Sequence, residues 1–161
     1  YYSVNHDFRE IANIDYGQVY NIVKEKIAKN KLPVAIIETL PDRARWYLGY
    51  DYQPVYLFRW TDEIGSVNGL QKNTAYKYNL EGEKVLVQAN SLKLIGNLSD
   101  LKKAIKKYDK GFIFIDDASL SKDIIDYAKN NFKKEIYLDH FTLDDNPYSI
   151  WPATLYSWGF K

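Results

Sequence analysis

Cysteine and methionine are absent from all 161 residues, and histidine occurs twice. The lack of cysteine excludes a disulfide framework and thiolate metal sites. The lack of methionine, in a chain that opens Tyr-Tyr-Ser, reads as a fragment excised or processed from a longer protein. A charge excess is missing too: 22 Lys and Arg face 21 Asp and Glu, for a formal charge of +1. With no basic surplus to grip a phosphate backbone, nucleic acid is not an expected partner. Long apolar runs are also lacking. The longest, "PVAIIETL" and "GFIFI", fall far short of the roughly 20 residues that cross a bilayer, and no signal-peptide pattern opens the chain. Neither GxGxxG nor GxxxxGK[ST] follows any strand pattern, so the fingerprints of dinucleotide and P-loop sites are missing. The first apolar strand runs instead into Thr39-Leu40-Pro41, which cannot wrap a phosphate as glycines do. No G-x-S-x-G nucleophile elbow is present.

What remains is an ordinary globular composition, 46% apolar and 27% charged, in a length that suits one domain with a sizeable core. Aromatics are abundant, with 15 Tyr, 7 Phe and 4 Trp. Core packing and half-buried sheet surface account for most of them, because Tyr and Trp carry an apolar body with a polar tip.

Residues 16–30 place Val19, Ile22, Val23 and Ile27 on one helical face, with Asp15 as the expected N-cap and lysines at the C-terminal end. "LPVAIIET" follows as a buried strand. "LPDRARWYLGY" is a short helix, with Pro41 in its first turn and Gly49 as its stop. "QPVYLFRW" is the next strand, and residues 61–75 form a loop. "AYKYNLEGEKVLVQAN" alternates on both sides of Glu81-Gly82-Glu83 and predicts a hairpin. "SLKLIGN" is a further short strand. "NLSDLKKAIKKYDKG" is a helix with Ser99 as its cap and Leu101, Ile105 and Tyr108 facing inward. "GFIFI" is a strand, followed by a helix that turns Ile124, Ile125, Ala128 and Phe132 inward. "KKEIYLDHF" and "ATLYSWGFK" close the chain as strands, the last an antiparallel edge. Strands alternating with helices predict a single α/β domain. Its sheet is mainly parallel or mixed, with helices on both faces in Rossmann-like layers and a hairpin insertion.

Asp116 and Asp117 end the "GFIFI" strand, where α/β folds place ligand-binding carboxylates. An Asp-x-Asp phosphotransfer site needs its second acid two residues on, and a receiver-type site needs a second acidic cluster. Strand "VAIIET" offers Glu38 alone. A turn into a helix capped by Ser119 or Ser121 accounts for the pair more simply. His140 beside Asp139 reads as a polar strand end. Asp139, Asp144, Asp145 and Asn146 cluster without EF-hand spacing. Asn97-Leu98-Ser99 matches the N-glycosylation pattern, but Ser99 is wanted as a helix cap. Trp46, Tyr47, Tyr50, Trp60, Trp151 and Trp158 are candidate sugar-stacking residues, though their spacing favours core packing for most.

Four segments in order resemble the soluble C-terminal domain of polytopic membrane glycosyltransferases, the superfamily of the protein mannosyltransferases and lipid A aminoarabinose transferases. "DFREIANIDYGQVYNIVKEKIAKNKLPVAIIET" is similar to its helix after the last membrane span, leading into the first strand. "LPDRARWYLGYDYQPV" is similar to its helix ending in a Tyr-Tyr-Leu-Gly type sequence. "NLSDLKKAIKKYDKGFIFIDDASLSKDIIDYAKNNFKKEIYL" resembles its helix, aspartate-ended strand, helix and strand. "ATLYSWGF" occupies the place of its terminal strand. Residues from about 61 to 95 depart from the pattern, as a lineage-specific insertion would. In that family a sugar moves from a polyprenyl-phosphate donor, and the catalytic acid lies between the first membrane spans. The resemblance therefore implies an extracytoplasmic accessory domain with no catalytic residue, metal or cofactor of its own. Its expected partners are the parent chain's transmembrane region and a glycan or protein acceptor. The candidate ligand-binding residues are Trp46, Tyr50, Trp60, Asp116, Asp117 and Trp151. An independent α/β phosphohydrolase or transferase using Asp116, and a free carbohydrate-binding module, are the alternatives.

Overall fold

The computed structural model describes residues 2–59, 76–87, 92–116, 120–138 and 153–161, with side chains from residue 16 onward. Helix α1 (Tyr2–Lys29) comes first. It passes straight through Asp15, so that residue is not an N-cap. Val4, Phe8 and Ile11 continue the helical spacing upstream, and a helix already nucleated propagates at little cost. Strand β1 (Ala35–Glu38) leads to α2 (Pro41–Leu48), which starts on Pro41 and stops at Gly49 with φ of +102°. Both ends follow the sequence expectation, since proline needs no partner for a first-turn N–H and glycine tolerates positive φ.

Strand β2 (Val55–Phe58) is followed by the expected hairpin of β3 (Tyr76–Tyr78) and β4 (Lys84–Leu86). Asn79 organises its turn. Its Oδ1 accepts the N–H groups of Glu81 (3.0 Å) and Glu83 (2.9 Å), and Gly82 adopts φ of +80°. Strand β5 (Lys93–Ile95) precedes α3 (Leu98–Lys107). The cap of α3 is Asn97, whose Oδ1 accepts the Asp100 N–H at 2.9 Å, and not Ser99, which lies one residue inside the helix. Asn serves as well as Ser in that role, so residue type alone could not choose between them. Strand β6 (Gly111–Ile115) leads to α4 (Lys122–Asn131). Ser121 holds the N-cap position of α4 but makes no capping bond, its hydroxyl donating instead to Asp123. Strands β7 (Lys133–Leu138) and β8 (Ala153–Trp158) complete the chain.

Among the described residues the strands form one eight-stranded sheet in the order β3-β4-β5-β2-β1-β6-β8-β7. The central four, β5, β2, β1 and β6, are parallel, and both flanks are antiparallel. The closing strand β8 is antiparallel as expected, yet it lies inside β7 rather than at the rim. Its burial fits that place: Ala153, Leu155, Ser157 and Trp158 are all buried, while β7 carries the exposed lysines of an edge.

Alternation along the central strands divides the core in two. Ala35, Ile37, Tyr56, Phe58, Ile113 and Ile115 face α3 and α4 and meet Leu101, Ala104, Ile124 and Ala128. Ile36, Val55, Phe112 and Phe114 face α1 and α2 and meet Val19, Tyr20, Val23 and Ala44. The chain leaves β1 toward β2 by α2, and returns by α3 to β6 on the other flank of β1. The carboxyl ends of β1 and β6 therefore form the topological switch point, where open α/β sheets leave a crevice.

Candidate functional site

At that switch point β1 ends in Glu38 with Thr39 next, Asp116 follows the end of β6, and α2 brings Arg43 between them. Glu38 is fully buried, and the side chains of Arg43 and Asp116 are 9% and 15% exposed. Arg43 Nη2 lies 3.1 Å from Asp116 Oδ2 and 3.4 Å from Glu38 Oε2. The Thr39 hydroxyl reaches Asp116 Oδ1 at 2.8 Å and Oδ2 at 3.1 Å. Glu38 accepts the Ala44 N–H at 2.8 Å and the hydroxyl of Tyr20, which α1 supplies. The guanidinium also packs on rings, its carbon 4.3 Å from the Tyr16 centroid and 4.8 Å from that of Phe114. Such stacking compensates part of the desolvation of a buried cation.

Burial pushes the Glu38 carboxyl above the usual glutamate range, against the pull of Arg43 and the bonds from Tyr20 and Ala44. Burial also raises Tyr20, with the Glu38 charge adding to it, and raises Tyr16 against the pull of Arg43. Arg43 is held above its ordinary value. Burial acts against its charge, but Glu38, the two tyrosines and Asp116 outweigh that. Two carboxylates thus share one guanidinium inside a shell of hydroxyl and amide donors.

The arrangement fixes Asp116 in place. Both of its oxygens are engaged by protein donors, and a guanidinium beside them repels a second cation. Among the described residues, no group of three or more His, Asp or Glu side chains is placed to hold a metal ion.

The other candidates are not gathered here. Trp46, on α2, is 72% exposed, and Tyr50, in the turn just after it, is 66% exposed. Both are exceptions to the packing expected for most of these aromatics. α2 turns Ala44 inward, and a residue two positions on from it along a helix points elsewhere. Tyr47 does pack, stacked on Tyr20 at 4.5 Å, and Trp158 is buried. Trp60, Asp117 and Trp151 lie outside the described residues, as do the 61–75 loop, Ser119, His140 and the Asp139–Asn146 cluster.

Sequence reasoning missed Arg43, Tyr20 and Thr39. The available signal was a glutamate closing an all-apolar strand, since a buried acid calls for a cation or donors nearby. Among the described residues no helix is long and apolar enough to cross a membrane. Comparison of the chain with family models, curated proteins and solved structures found no match.

Proposed function

We propose that the chain is a non-catalytic lobe of a membrane glycosyltransferase, on the extracytoplasmic side, assisting sugar transfer from a polyprenyl-phosphate donor. One observation carries the non-catalytic part: Asp116 is bound by Thr39 and Arg43 instead of being presented to a ligand. Such a carboxylate is held in place as part of the switch point. The sequence resemblance supplies the parent enzyme, and the long α1 leading into β1 suits a lobe that follows a membrane span.

The test pairs two measurements. Membranes carrying the full-length product are assayed for transfer from a polyprenyl-phosphate sugar, with and without Asp116→Asn. Transfer should require the membrane fraction, and the variant should keep it within about threefold, a change under 1 kcal/mol in barrier. Magnesium-dependent phosphatase turnover by the isolated 161-residue chain, abolished by Asp116→Asn, would overturn the reading. So would recovery of the native product entirely in the soluble fraction.

The exposure of Trp46 and Tyr50 favours a second reading, in which the lobe recognises a glycan by stacking on them. Retention of the chain on an acceptor glycan should then fall when Trp46 becomes alanine, and unchanged retention would count against it.

A further inference from the structure

A second concavity, of about 540 Å³, opens where β6 and β7 begin and β8 ends, beside the last turns of α1. Lys26 and Lys29 come from α1, Lys110 from the approach to β6, Lys133 from the start of β7, and Lys161 from beyond β8. Glu25 and Glu135 are the acids in its lining. Even without Lys161, the ammonium groups outnumber the carboxylates by two, more than the net charge of the whole chain.

Both acids are already engaged. Glu25 pairs with Lys29 at 2.9 Å, and Glu135 pairs with Lys26 at 3.0 Å and accepts the Ser157 hydroxyl at 2.7 Å. Lys133 stands 3.8 Å from that same occupied oxygen of Glu135, and its side chain is 66% exposed. Lys110 donates to a neutral acceptor, Asn30 Oδ1, at 2.7 Å. Helix chemistry explains Lys26 and Lys29, because cations suit the C-terminal end of a helix. It does not explain Lys110 and Lys133, which come from separate elements yet face the same space. Ile22 and Phe160 add apolar walls, and walls of low polarity focus the field of charges around a cleft.

We propose that this cleft binds a compact polyanion, a diphosphate group, with Lys110 and Lys133 as its principal cations. Lysines recognise phosphate as mobile point charges, without the fixed fork that arginine imposes. Two under-compensated ammonium groups on different elements suit two adjacent phosphates better than one. This inference is independent of the membrane reading above.

The test is calorimetric titration of inorganic pyrophosphate into the 161-residue chain at low salt. Saturable one-to-one binding with Kd below about 1 mM is expected, with inorganic phosphate weaker. Lys110→Ala with Lys133→Ala should weaken binding by about tenfold or more, and Lys133→Glu, a charge reversal at an exposed side chain, should do the same alone. The control is Lys102→Ala with Lys106→Ala. These residues line a concavity on α3 whose lysines all come from that one helix, and their loss should leave affinity within about twofold. No saturation by about 10 mM pyrophosphate overturns the proposal, as does an equal loss in the α3 control or full affinity in both cleft variants.

Discussion

Arg43 holds two carboxylates, Glu38 five residues away and Asp116 seventy-three residues away in the chain. Removing a cation from such a buried set leaves a charge without compensation, which costs more than the pair itself contributes. Arg43→Met should therefore lower unfolding free energy by about 3–5 kcal/mol, read from urea denaturation. The pH dependence identifies the stranded group. Burial, against Arg43, holds the folded Glu38 above its ordinary value, so the native state binds that proton more tightly than the unfolded chain does. Stability from this source is full below the unfolded value and is lost as pH rises through the folded one. Without Arg43 the folded value climbs further, so the deficit of Arg43→Met should be larger at about pH 8 than at about pH 5. A deficit equal at both would show that Glu38 is not the group left unpaired. Little of this was legible beforehand. The apolar run before Glu38 shows that the acid is buried, but its partners depend on how β6 returns beside β1, which no local window contains.

Among elements, the hairpin of β3 and β4 depends on Glu83. Its carboxylate meets Lys107 at 2.7 Å and Lys93 at 3.6 Å, accepts the Tyr56 hydroxyl, and takes an Asn79 amide bond at 3.3 Å. Burial pushes Glu83 up, but Lys107, Tyr56, Lys93 and Asn79 together pull it down to about 2. The sign is the reverse of that at Glu38. Its contribution is complete above the ordinary value of 4.5 and disappears as pH falls toward about 2. Glu83→Gln should cost about 1–2 kcal/mol at neutral pH, discounted because Lys107 is solvent-screened, and should flatten the acid limb of the stability curve. An unchanged limb would mean that the Glu83 carboxylate adds nothing to what the strand pairing and the Asn79 turn already supply. The bend just beyond β8 is stricter still. Gly159 has φ of +81°, and a Cβ there would strike the Asp109 carbonyl. Gly159→Ala should lower stability by about 2 kcal/mol or more, measured by thermal unfolding. Elements of this kind were largely readable, because Pro41, Gly49 and Gly82 punctuate the chain at backbone geometries that other residues resist. The order of β7 and β8 was not, since alternation in "ATLYSWGFK" fits either an edge strand or its inner neighbour.

For the whole molecule, the decisive feature is that two cores share one set of strands. Ile36 and Ile37 are adjacent in β1, yet one supports α1 and α2 while the other supports α3 and α4. Phe112 and Ile113 divide in the same way on β6. Releasing either helical layer would expose one apolar face of strands whose other face is still packed, and these strands carry the parallel ladder. Among the described residues neither layer has a sheet of its own on which to remain folded. Unfolding should therefore be a single cooperative event, as is usual for domains near this size. Val23→Ala on one face and Leu101→Ala on the other remove fully buried side chains, and Leu101→Ala should cost about 2–4 kcal/mol and Val23→Ala somewhat less. The diagnostic is native-state hydrogen exchange in α1 over residues 16–29 and in α3. Each variant should lower the opening free energy of both helices by the same amount, since both report one global transition. If Val23→Ala loosened α1 and left α3 protected, the two layers would be separate folding units, and the switch point at Arg43 would be a hinge between them instead of a lock.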